Sequence, residues 1–215
     1  GYAVVAMDVR GQAGQSEDHG TFNGITVKGQ VIRGMTEGPQ HLFYKDVFLD
    51  VYTLIELVGQ FDWADEGDFQ TLGGSQGGAL AIIGGALNPR IKRVTTMYPF
   101  LTDFPRIMEV GQQVEPYDEL YRYFKFYDPL YETEQQILAT LDYIDMKNFA
   151  HRITGEVNLI TGLRDDVCLP STQYAFFNRL RTPNKKHFLV PQYGHEPMMV
   201  AVPDLIMSLV SKIII

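Results

Sequence analysis

The sequence has 215 residues, of which 45% are hydrophobic and 20% charged, so it can bury a sizeable core and is not intrinsically disordered. A formal net charge of −8 disfavours a nucleic acid or an anionic membrane as partner, and no apolar run approaches the roughly 18 residues of a transmembrane helix. The single cysteine, Cys168, excludes an internal disulfide and a cysteine-based zinc site. We therefore expect a soluble globular protein.

Short apolar runs alternate with helical patterns along the chain. The predicted strands are residues 2–9, 69–72, 91–97, 157–161 and 187–191. The predicted helices between and after them are residues 45–58, 77–87, 170–180 and 203–213. Strands that alternate with helices predict an α/β fold, with a mostly parallel sheet and helices on both faces.

Two stretches interrupt this alternation. Residues 11–40 contain seven glycines and few apolar positions, which predicts a long surface loop with short hairpins. Residues 100–150 have no strand signal and predict a helical insertion, whose clearest helices are 116–127 and 133–144. Thr133 and Gln136 fit a capping box at the start of the second of these helices. The many aromatic rings of the insertion are interpreted as its own core or as a lid over a ligand pocket. No linker divides the chain, so residues 1–215 are predicted to form a single domain that carries the insertion.

A Gly-x-Ser-x-Gly motif lies between the second predicted strand and the following helix, at Gly73, Ser75 and Gly77. In this strand–turn–helix context the motif is typical of a nucleophile elbow, in which the serine occupies a tight, strained turn. The residues two positions away on either side must be small, so that the strand and the helix can approach each other. The backbone N–H after the serine, that of Gln76, then points at the reacting carbonyl. The motif therefore predicts a nucleophilic serine.

An activated serine needs a base, and the base needs an acid that orients it. The chain has five histidines: His19, His41, His151, His187 and His195. In this fold the order along the chain is serine, acid, histidine, and the first two histidines precede the serine. The third ends the insertion and the fourth begins a strand. The fifth follows the last predicted strand, where such sheets place catalytic residues, so His195 is the predicted base.

The acid should lie on the loop after the preceding strand. The sequence Gly162-Leu163-Arg164-Asp165-Asp166 offers two candidates there. Spacing alone does not choose between Asp165 and Asp166. The unused carboxylate would be a helix N-terminal charge or a solvated side chain.

Three segments resemble the acetyl xylan esterase and cephalosporin C deacetylase family, the seventh carbohydrate esterase family. They are Arg10-Gly11-Gln12 after the first predicted strand, Gly73-Gly74-Ser75-Gln76-Gly77 at the elbow, and His195-Glu196 near the end. The acid loop, with Pro170-Ser171-Thr172 after it, is also similar to the family's, and this similarity selects Asp165 over Asp166. The resemblance extends from the first predicted strand to the last predicted helix.

The resemblance implies an α/β-hydrolase that removes acetyl groups from acetylated xylo-oligosaccharides and from related small esters such as cephalosporin C. Ser75 would be the nucleophile, His195 the general base and Asp165 the acid that orients it. The Gln76 backbone N–H would stabilise the oxyanion of an acetyl-enzyme reaction. No metal and no organic cofactor would take part.

Further residues fall on positions around this implied site. Arg10, Gln12 and Glu196 occupy the remaining motif positions and are expected to support the site through hydrogen bonds. An ordinary surface ion pair is the alternative interpretation for them. Pro99 and Phe100 follow a strand end and are expected to line the acyl pocket.

The resemblance also implies an intracellular, ring-like homohexamer. The single cysteine is compatible with the reducing cytoplasm. The small-molecule partner would be an acetyl ester or an acetylated oligosaccharide, and neither a nucleic acid nor a membrane is expected as a partner.

One departure from the family concerns the second oxyanion donor. In the family this donor is a tyrosine backbone N–H well upstream of the Arg-Gly-Gln motif, whereas this sequence begins at Gly1, directly before the first predicted strand. The family fold has eight strands, and the five predicted here would be the last five. We therefore expect the first strands and half of the oxyanion hole to be missing from the sequence.

Two other functions stay open at this point. A peptidase-type or dienelactone-type hydrolase would share the elbow, although the Arg-Gly-Gln and His-Glu pairings argue against both. An inactive fragment that only packs against other chains would explain the absent strands.

Overall fold

A four-stranded parallel sheet organises the part of the chain that the computed structural model describes, which is residues 2–12, 14–20, 29–65, 67–111 and 114–211. The strand order follows the sequence, β1-β2-β3-β4, and every neighbouring pair is parallel. The strands are β1 (Phe69–Gly74), β2 (Ile91–Met97), β3 (Glu156–Gly162) and β4 (Lys185–Val190). The carboxyl ends of all four strands therefore meet at one edge of the sheet.

Helices connect and follow the strands. They are α1 (Phe43–Val58), α2 (Gln76–Leu87), α3 (Phe104–Val110), α4 (Asp118–Phe126), α5 (Glu134–Leu141), α6 (Met146–Phe149), α7 (Pro170–Arg179), α8 (Met198–Ala201) and α9 (Pro203–Ser211). Two short 3-10 helices add Pro39–His41 and Ala150–Arg152. Of the described helices, none is both long and apolar enough to cross a membrane.

Adjacent residues of β1 show that helices cover both faces of the sheet. The Thr71 hydroxyl donates to the Ala81 carbonyl of α2 at 2.9 Å, and the Gln70 side-chain amide donates to the Val210 carbonyl of α9 at 3.2 Å. Since successive side chains of a strand point to opposite faces, α2 and α9 lie on opposite sides. The predicted arrangement of a parallel sheet between helices is thus confirmed.

The strand predicted at residues 2–9 is wrong for the described chain. This segment pairs with no strand, and Val4 is 87% exposed. Met7 and Val9 nevertheless pack against the core at their inner sides. An apolar run becomes a strand only where a neighbouring strand supplies hydrogen-bond partners, and among the described residues this segment finds none. The sheet accordingly has four strands instead of the predicted five.

The long glycine-rich loop is only partly at the surface. Val31 and Met35, which lie within it, are buried in the core. The described part of the loop contains turns and no strand, and residues 21–28 of the predicted hairpin region lie outside the described residues.

The helical insertion predicted at residues 100–150 is present, and its described residues contain no strand. Its core rings include Phe104, Tyr117 and Phe124, which are at most 2% exposed. The predicted capping box is wrong, because the Thr133 hydroxyl donates to Asp128 Oδ2 at 2.7 Å and its side chain makes no cap hydrogen bond to α5. A nearby carboxylate binds this hydroxyl in place of the helix amide.

Candidate active site

Ser75 lies at the junction of β1 and α2 in a strained backbone conformation, with φ 53° and ψ −118°. Its N–H donates to the Met97 carbonyl at 3.0 Å, and its carbonyl accepts from the N–H groups of Ala79 at 3.0 Å and Phe100 at 3.1 Å. Such a conformation persists only where the surroundings hold it in place. The three backbone hydrogen bonds provide that restraint, and they leave the side chain at the carboxyl edge of the sheet.

Close packing around the turn explains one of the two motif glycines. A Cβ at Gly73 would lie 2.1 Å from the Gly77 carbonyl oxygen, so position 73 cannot carry a side chain without moving α2. A Cβ at Gly77 would meet no atom of the described residues within 4 Å, apart from its chain neighbours and the backbone of its own helix. The second crowded position is instead Gly78, where a Cβ would lie 2.8 Å from the Met97 carbonyl oxygen. The expectation that position 77 must be small for packing is therefore wrong within the described chain.

Three side chains from three loops form one hydrogen-bonded series. His195 Nε2 lies 3.0 Å from Ser75 Oγ, and His195 Nδ1 lies 2.9 Å from Asp165 Oδ2. The loops that carry them follow β1, β3 and β4, whose carboxyl ends share one edge of the sheet. The Tyr98 ring packs on the imidazole with 4.5 Å between the ring centroids. Serine, imidazole and carboxylate thus have the geometry in which an imidazole can take the serine proton.

Burial and hydrogen bonding distinguish the two candidate acids. Asp165 is only 3% exposed, and its Oδ1 accepts from the N–H groups of Val167 at 2.9 Å and Cys168 at 2.8 Å. Asp166 is exposed. The carboxylate that reaches the imidazole is therefore that of Asp165, and its remaining lone pairs are held by backbone amides.

A polar cluster behind the serine involves a residue that the sequence does not single out. The buried Tyr44 hydroxyl donates to the Gly29 carbonyl at 2.7 Å and accepts from the Gln76 side-chain amide at 3.1 Å. The Gln12 side chain also hydrogen-bonds this hydroxyl, and burial raises the pKa of Tyr44 well above its ordinary value. Gln76 is the first residue of α2, so no carbonyl of that helix accepts its backbone N–H.

A cleft of about 380 Å³ opens onto Ser75 and His195. Its other described lining residues are Gln12, Gly29, Tyr44, Gln76, Phe100, Glu115, Pro116 and Val167. Glu115 and Pro116 come from the insertion, so the insertion borders the cleft and also has a core of its own. Phe100 lines the cleft as expected, whereas Pro99 is buried beside it and is not part of the described lining. No local motif in the sequence marks Tyr44, Glu115 or Pro116 as residues of the cleft.

The remaining motif residues hold the loops near the cleft. The Arg10 guanidinium forms a two-point ion pair with Asp50 of α1, with both N–O distances at 2.6 Å, and it lies outside the described lining of the cleft. The carboxylate of Glu196 accepts from the Gly194 N–H at 2.5 Å, which restrains the loop that carries His195. Each contact ties a loop in place, and neither side chain reaches Ser75 through a described hydrogen bond.

The only cysteine of the sequence borders this site as well. Cys168 is 2% exposed, and burial raises the pKa of its thiol well above the ordinary value, with the neighbouring Asp165 carboxylate adding to the effect. A buried thiol of this kind stays protonated and unreactive at neutral pH. Among the described residues no group of three or more His, Cys, Asp and Glu side chains is arranged to hold a metal ion.

The model of one protein family matches residues 1–213, and its description is acetyl xylan esterase (AXE1). The chain belongs to the acetyl xylan esterase family. One relative, the acetyl esterase Axe7A of Xylanibacter ruminicola, is 27% identical over 201 residues, which are 91% of this chain and 43% of that protein. The family predicted from the three motifs is therefore confirmed.

Two solved structures of the family superpose closely on this chain. An acetyl xylan esterase from Thermoanaerobacterium sp. is 39% identical with a TM-score of 0.90, over 95% of this chain and 64% of that one. An acetyl xylan esterase from Paenibacillus sp. R4 is 33% identical with a TM-score of 0.89, over 96% of this chain and 64% of that one. The fold is the α/β-hydrolase fold that the sequence predicts. The chain spans less than two thirds of the length of each of these three relatives.

Proposed function

We propose that this protein is a serine esterase that removes acetyl groups from acetylated xylo-oligosaccharides and related small esters. The observation that carries the proposal is the hydrogen-bonded series of Ser75, His195 and Asp165 at the mouth of the cleft. Membership of the acetyl xylan esterase family supports the acetyl group as the one transferred. Small esters such as cephalosporin C belong to the proposed substrate range.

In the first half of the proposed reaction, Ser75 Oγ attacks the ester carbonyl while His195 Nε2 takes the hydroxyl proton. Asp165 stabilises the imidazolium that forms and keeps its Nδ1 proton directed at the carboxylate. The Gln76 backbone N–H donates to the developing oxyanion. The bond between the acyl carbon and the leaving oxygen then breaks, and His195 gives its proton to that oxygen. The products are the alcohol and an acetyl group bonded to Ser75.

In the second half, a water molecule replaces the alcohol. The water oxygen attacks the acetyl carbon while His195 takes a proton from the water. The imidazolium then gives that proton to Ser75 Oγ as the bond between Ser75 and the acetyl carbon breaks. Acetate leaves and the enzyme returns to its starting state. This sequence of steps uses no metal ion and no organic cofactor.

The supporting roles proposed for the motif residues follow from their contacts. Glu196 holds the His195 loop through Gly194, and Gln12 holds the Tyr44 hydroxyl behind Gln76. Arg10 fastens the loop next to Gln12 onto α1 through Asp50. In this proposal these residues position the reacting groups without exchanging protons.

Acetate release tests the proposed function. The substrates are 4-nitrophenyl acetate, acetylated xylo-oligosaccharides and cephalosporin C, each compared for the wild type and for Ser75→Ala. We expect acetate from the wild type alone, and we expect a covalent acetyl group on Ser75 by mass spectrometry after a rapid acid quench. Ser171→Ala serves as the matched control, since Ser171 is an exposed serine on α7. Equal acetate release by wild type and Ser75→Ala would remove the basis of the proposal.

The proposal extends to the assembly and the compartment implied by the resemblance, a homohexamer in the cytoplasm. The single buried cysteine supports a reducing compartment. Light scattering coupled to size-exclusion chromatography measures the mass of the assembly. A monomer at micromolar concentration would contradict the proposed hexamer.

A further inference from the structure

A series of four hydrogen bonds leads from β4 to the loop that carries Asp165, and all but the outermost are buried. His187 Nε2 lies 2.8 Å from Thr161 Oγ1 on the neighbouring strand β3. The Thr161 hydroxyl donates to Gln173 Oε1 of α7 at 2.7 Å, and the Gln173 Nε2 group donates to the Cys168 carbonyl at 2.6 Å. The Cys168 N–H in turn donates to Asp165 Oδ1 at 2.8 Å.

The last acceptor of the series fixes the direction of every bond before it. The Cys168 carbonyl can only accept, so the Gln173 nitrogen must face it and the Gln173 oxygen must face Thr161. The hydroxyl has one proton, which it donates to that oxygen. Thr161 Oγ1 must therefore accept from His187, which requires the tautomer with the proton on Nε2.

The inner links of this series are shielded from solvent, and His187 at its outer end is partly buried. Thr161 and Gln173 are fully buried. The His187 ring packs against Tyr174 and Phe177 with centroid distances of 4.6 and 4.8 Å, and burial lowers the pKa of His187 below its ordinary value. Buried polar groups of this kind are costly to leave without partners, so each link restrains the next.

The position of the Asp165 carboxylate depends on the loop that this series holds. Two amides on the loop, those of Val167 and Cys168, hold its Oδ1 atom. Gln173 in turn holds the backbone at Cys168, because its side-chain amide donates to the Cys168 carbonyl. We infer that Gln173 is a positioning residue, which sets the orientation of Asp165 toward His195 by fixing the backbone on the carbonyl side of Cys168 while Asp165 accepts from the N–H side of the same residue. This inference rests on the proposed function of Ser75, His195 and Asp165.

A fluorophosphonate probe measures the effect, because it reacts with an activated serine and needs no particular ester. In the intact folded protein, Gln173→Met removes the donor and the acceptor and keeps a side chain of similar length. Since a misplacement of about 1 Å can cost about 100-fold in rate, we expect labelling of Ser75 to slow by roughly 10- to 100-fold. The control is Phe176→Leu, a buried change in the same helix outside the series, which should leave the rate close to that of the wild type.

A double-mutant cycle shows whether Gln173 acts through the acid. In an Asp165→Asn background the orientation of a carboxylate no longer matters, so adding Gln173→Met should change the labelling rate by less than about twofold. Equal fold-losses in the wild-type and Asp165→Asn backgrounds would mean that Gln173 acts by another route, and would overturn the inference.

Proton NMR provides a readout that does not depend on a reactive serine. The Nδ1 proton of His195, held by a carboxylate, gives a far-downfield resonance, and we expect Gln173→Met to shift or broaden it while Phe176→Leu leaves it in place. A wild type that fails to label but shows the resonance would count against the proposed function alone. Unchanged resonance and labelling in a folded Gln173→Met protein would overturn the positioning role.

Thr161→Val and Thr161→Ser keep the test available if Gln173→Met does not fold. Valine has the shape of threonine without the hydroxyl, so it removes the link to Gln173 with little change in packing, whereas serine retains it. We expect the serine variant to label faster than the valine variant. Equal rates for the two variants would contradict the inference.

Discussion

The Gly77 carbonyl oxygen lies 2.1 Å from the place that a Cβ at Gly73 would occupy. Strand β1 and helix α2 therefore touch backbone to backbone at the turn that presents Ser75. Gly73→Ala can be accommodated only if α2 moves away from the strand, and overpacking of this kind costs about 1–3 kcal/mol or more. We expect urea denaturation to show that loss and fluorophosphonate labelling to show a displaced serine.

Gly77→Ala is the matched control for that change. Apart from its chain neighbours and the backbone of its own helix, no atom of the described residues lies within 4 Å of a Cβ there. Alanine in place of a glycine whose conformation it can adopt stabilises a protein by about 0.4–1 kcal/mol, because the unfolded chain then has less conformational entropy to lose. Its unfolding free energy should match or exceed that of the wild type. A Gly73→Ala protein as stable as Gly77→Ala would show that the turn is not tightly packed in solution.

Asp165→Asn and Asp166→Asn should separate the two acidic neighbours. The asparagine introduced by Asp165→Asn cannot stabilise an imidazolium, and a comparable change in a serine triad lowers kcat by about 10⁴. Asp166 is exposed, so its replacement should alter the rate by less than about twofold. Steady-state hydrolysis of 4-nitrophenyl acetate measures both. A large loss from Asp166→Asn would assign the acid differently.

The buried thiol of Cys168 should make stability fall in alkaline solution. Burial raises its pKa in the native state, whereas in the unfolded chain the thiol ionises near pH 8.5. The unfolded state alone loses this proton as the pH rises from about 8.5 toward the native pKa, so the contribution to stability is complete below that window and declines within it. The slope is at most about 1.4 kcal/mol per pH unit.

Urea midpoints at several pH values between about 7.5 and 9 test this prediction, because unfolded tyrosines, with a pKa near 10, are still mostly protonated there. Cys168→Ala should lack the decline, since it has no thiol to titrate. Parallel curves for the wild type and the alanine variant would show that another group is responsible.

The ion pair of Arg10 and Asp50 should contribute little to stability. Its side chains are 29% and 33% exposed, and measured pairs near the surface typically contribute about 0.2–1 kcal/mol. A double-mutant cycle with Arg10→Ala and Asp50→Ala, measured at low and high salt, gives the coupling energy. We expect a coupling energy within that range that decreases as the salt concentration rises. A larger coupling energy that salt does not change would show that the pair is shielded from solvent.

The strongly patterned elements could be predicted from the sequence because their periodicity reports which face is buried. Strand β2 (Ile91–Met97) was predicted with its observed boundaries, and helix α2 differs from its prediction by one residue. The segment 2–9 is equally apolar but forms no strand in the described chain, because a ladder depends on a neighbour that local composition does not reveal. Thr133 fails for a more local reason, since the Asp128 carboxylate five residues before it competes for its hydroxyl.

The site could be predicted only where its residues lie in a motif or in a fixed chain order. The elbow and the serine–acid–histidine order indicated Ser75 and His195, and the structure brings both together with Asp165. Tyr44 and Gln173 carry no such signal. Each is one polar residue in an ordinary helix, and its contacts arise only when separate strands and helices have packed.

The hydrogen bond between Ser75 and His195 joins residues 120 positions apart. Contacts at such sequence separation pay their loop-closure cost before they give any stability, so they form slowly. The loops after β1, β3 and β4 must all have docked before the imidazole can activate the serine. The fraction of chains that a serine-directed probe labels at Ser75 during refolding should therefore equal the fraction in which these three loops have docked. Its time course would report the last stage of folding.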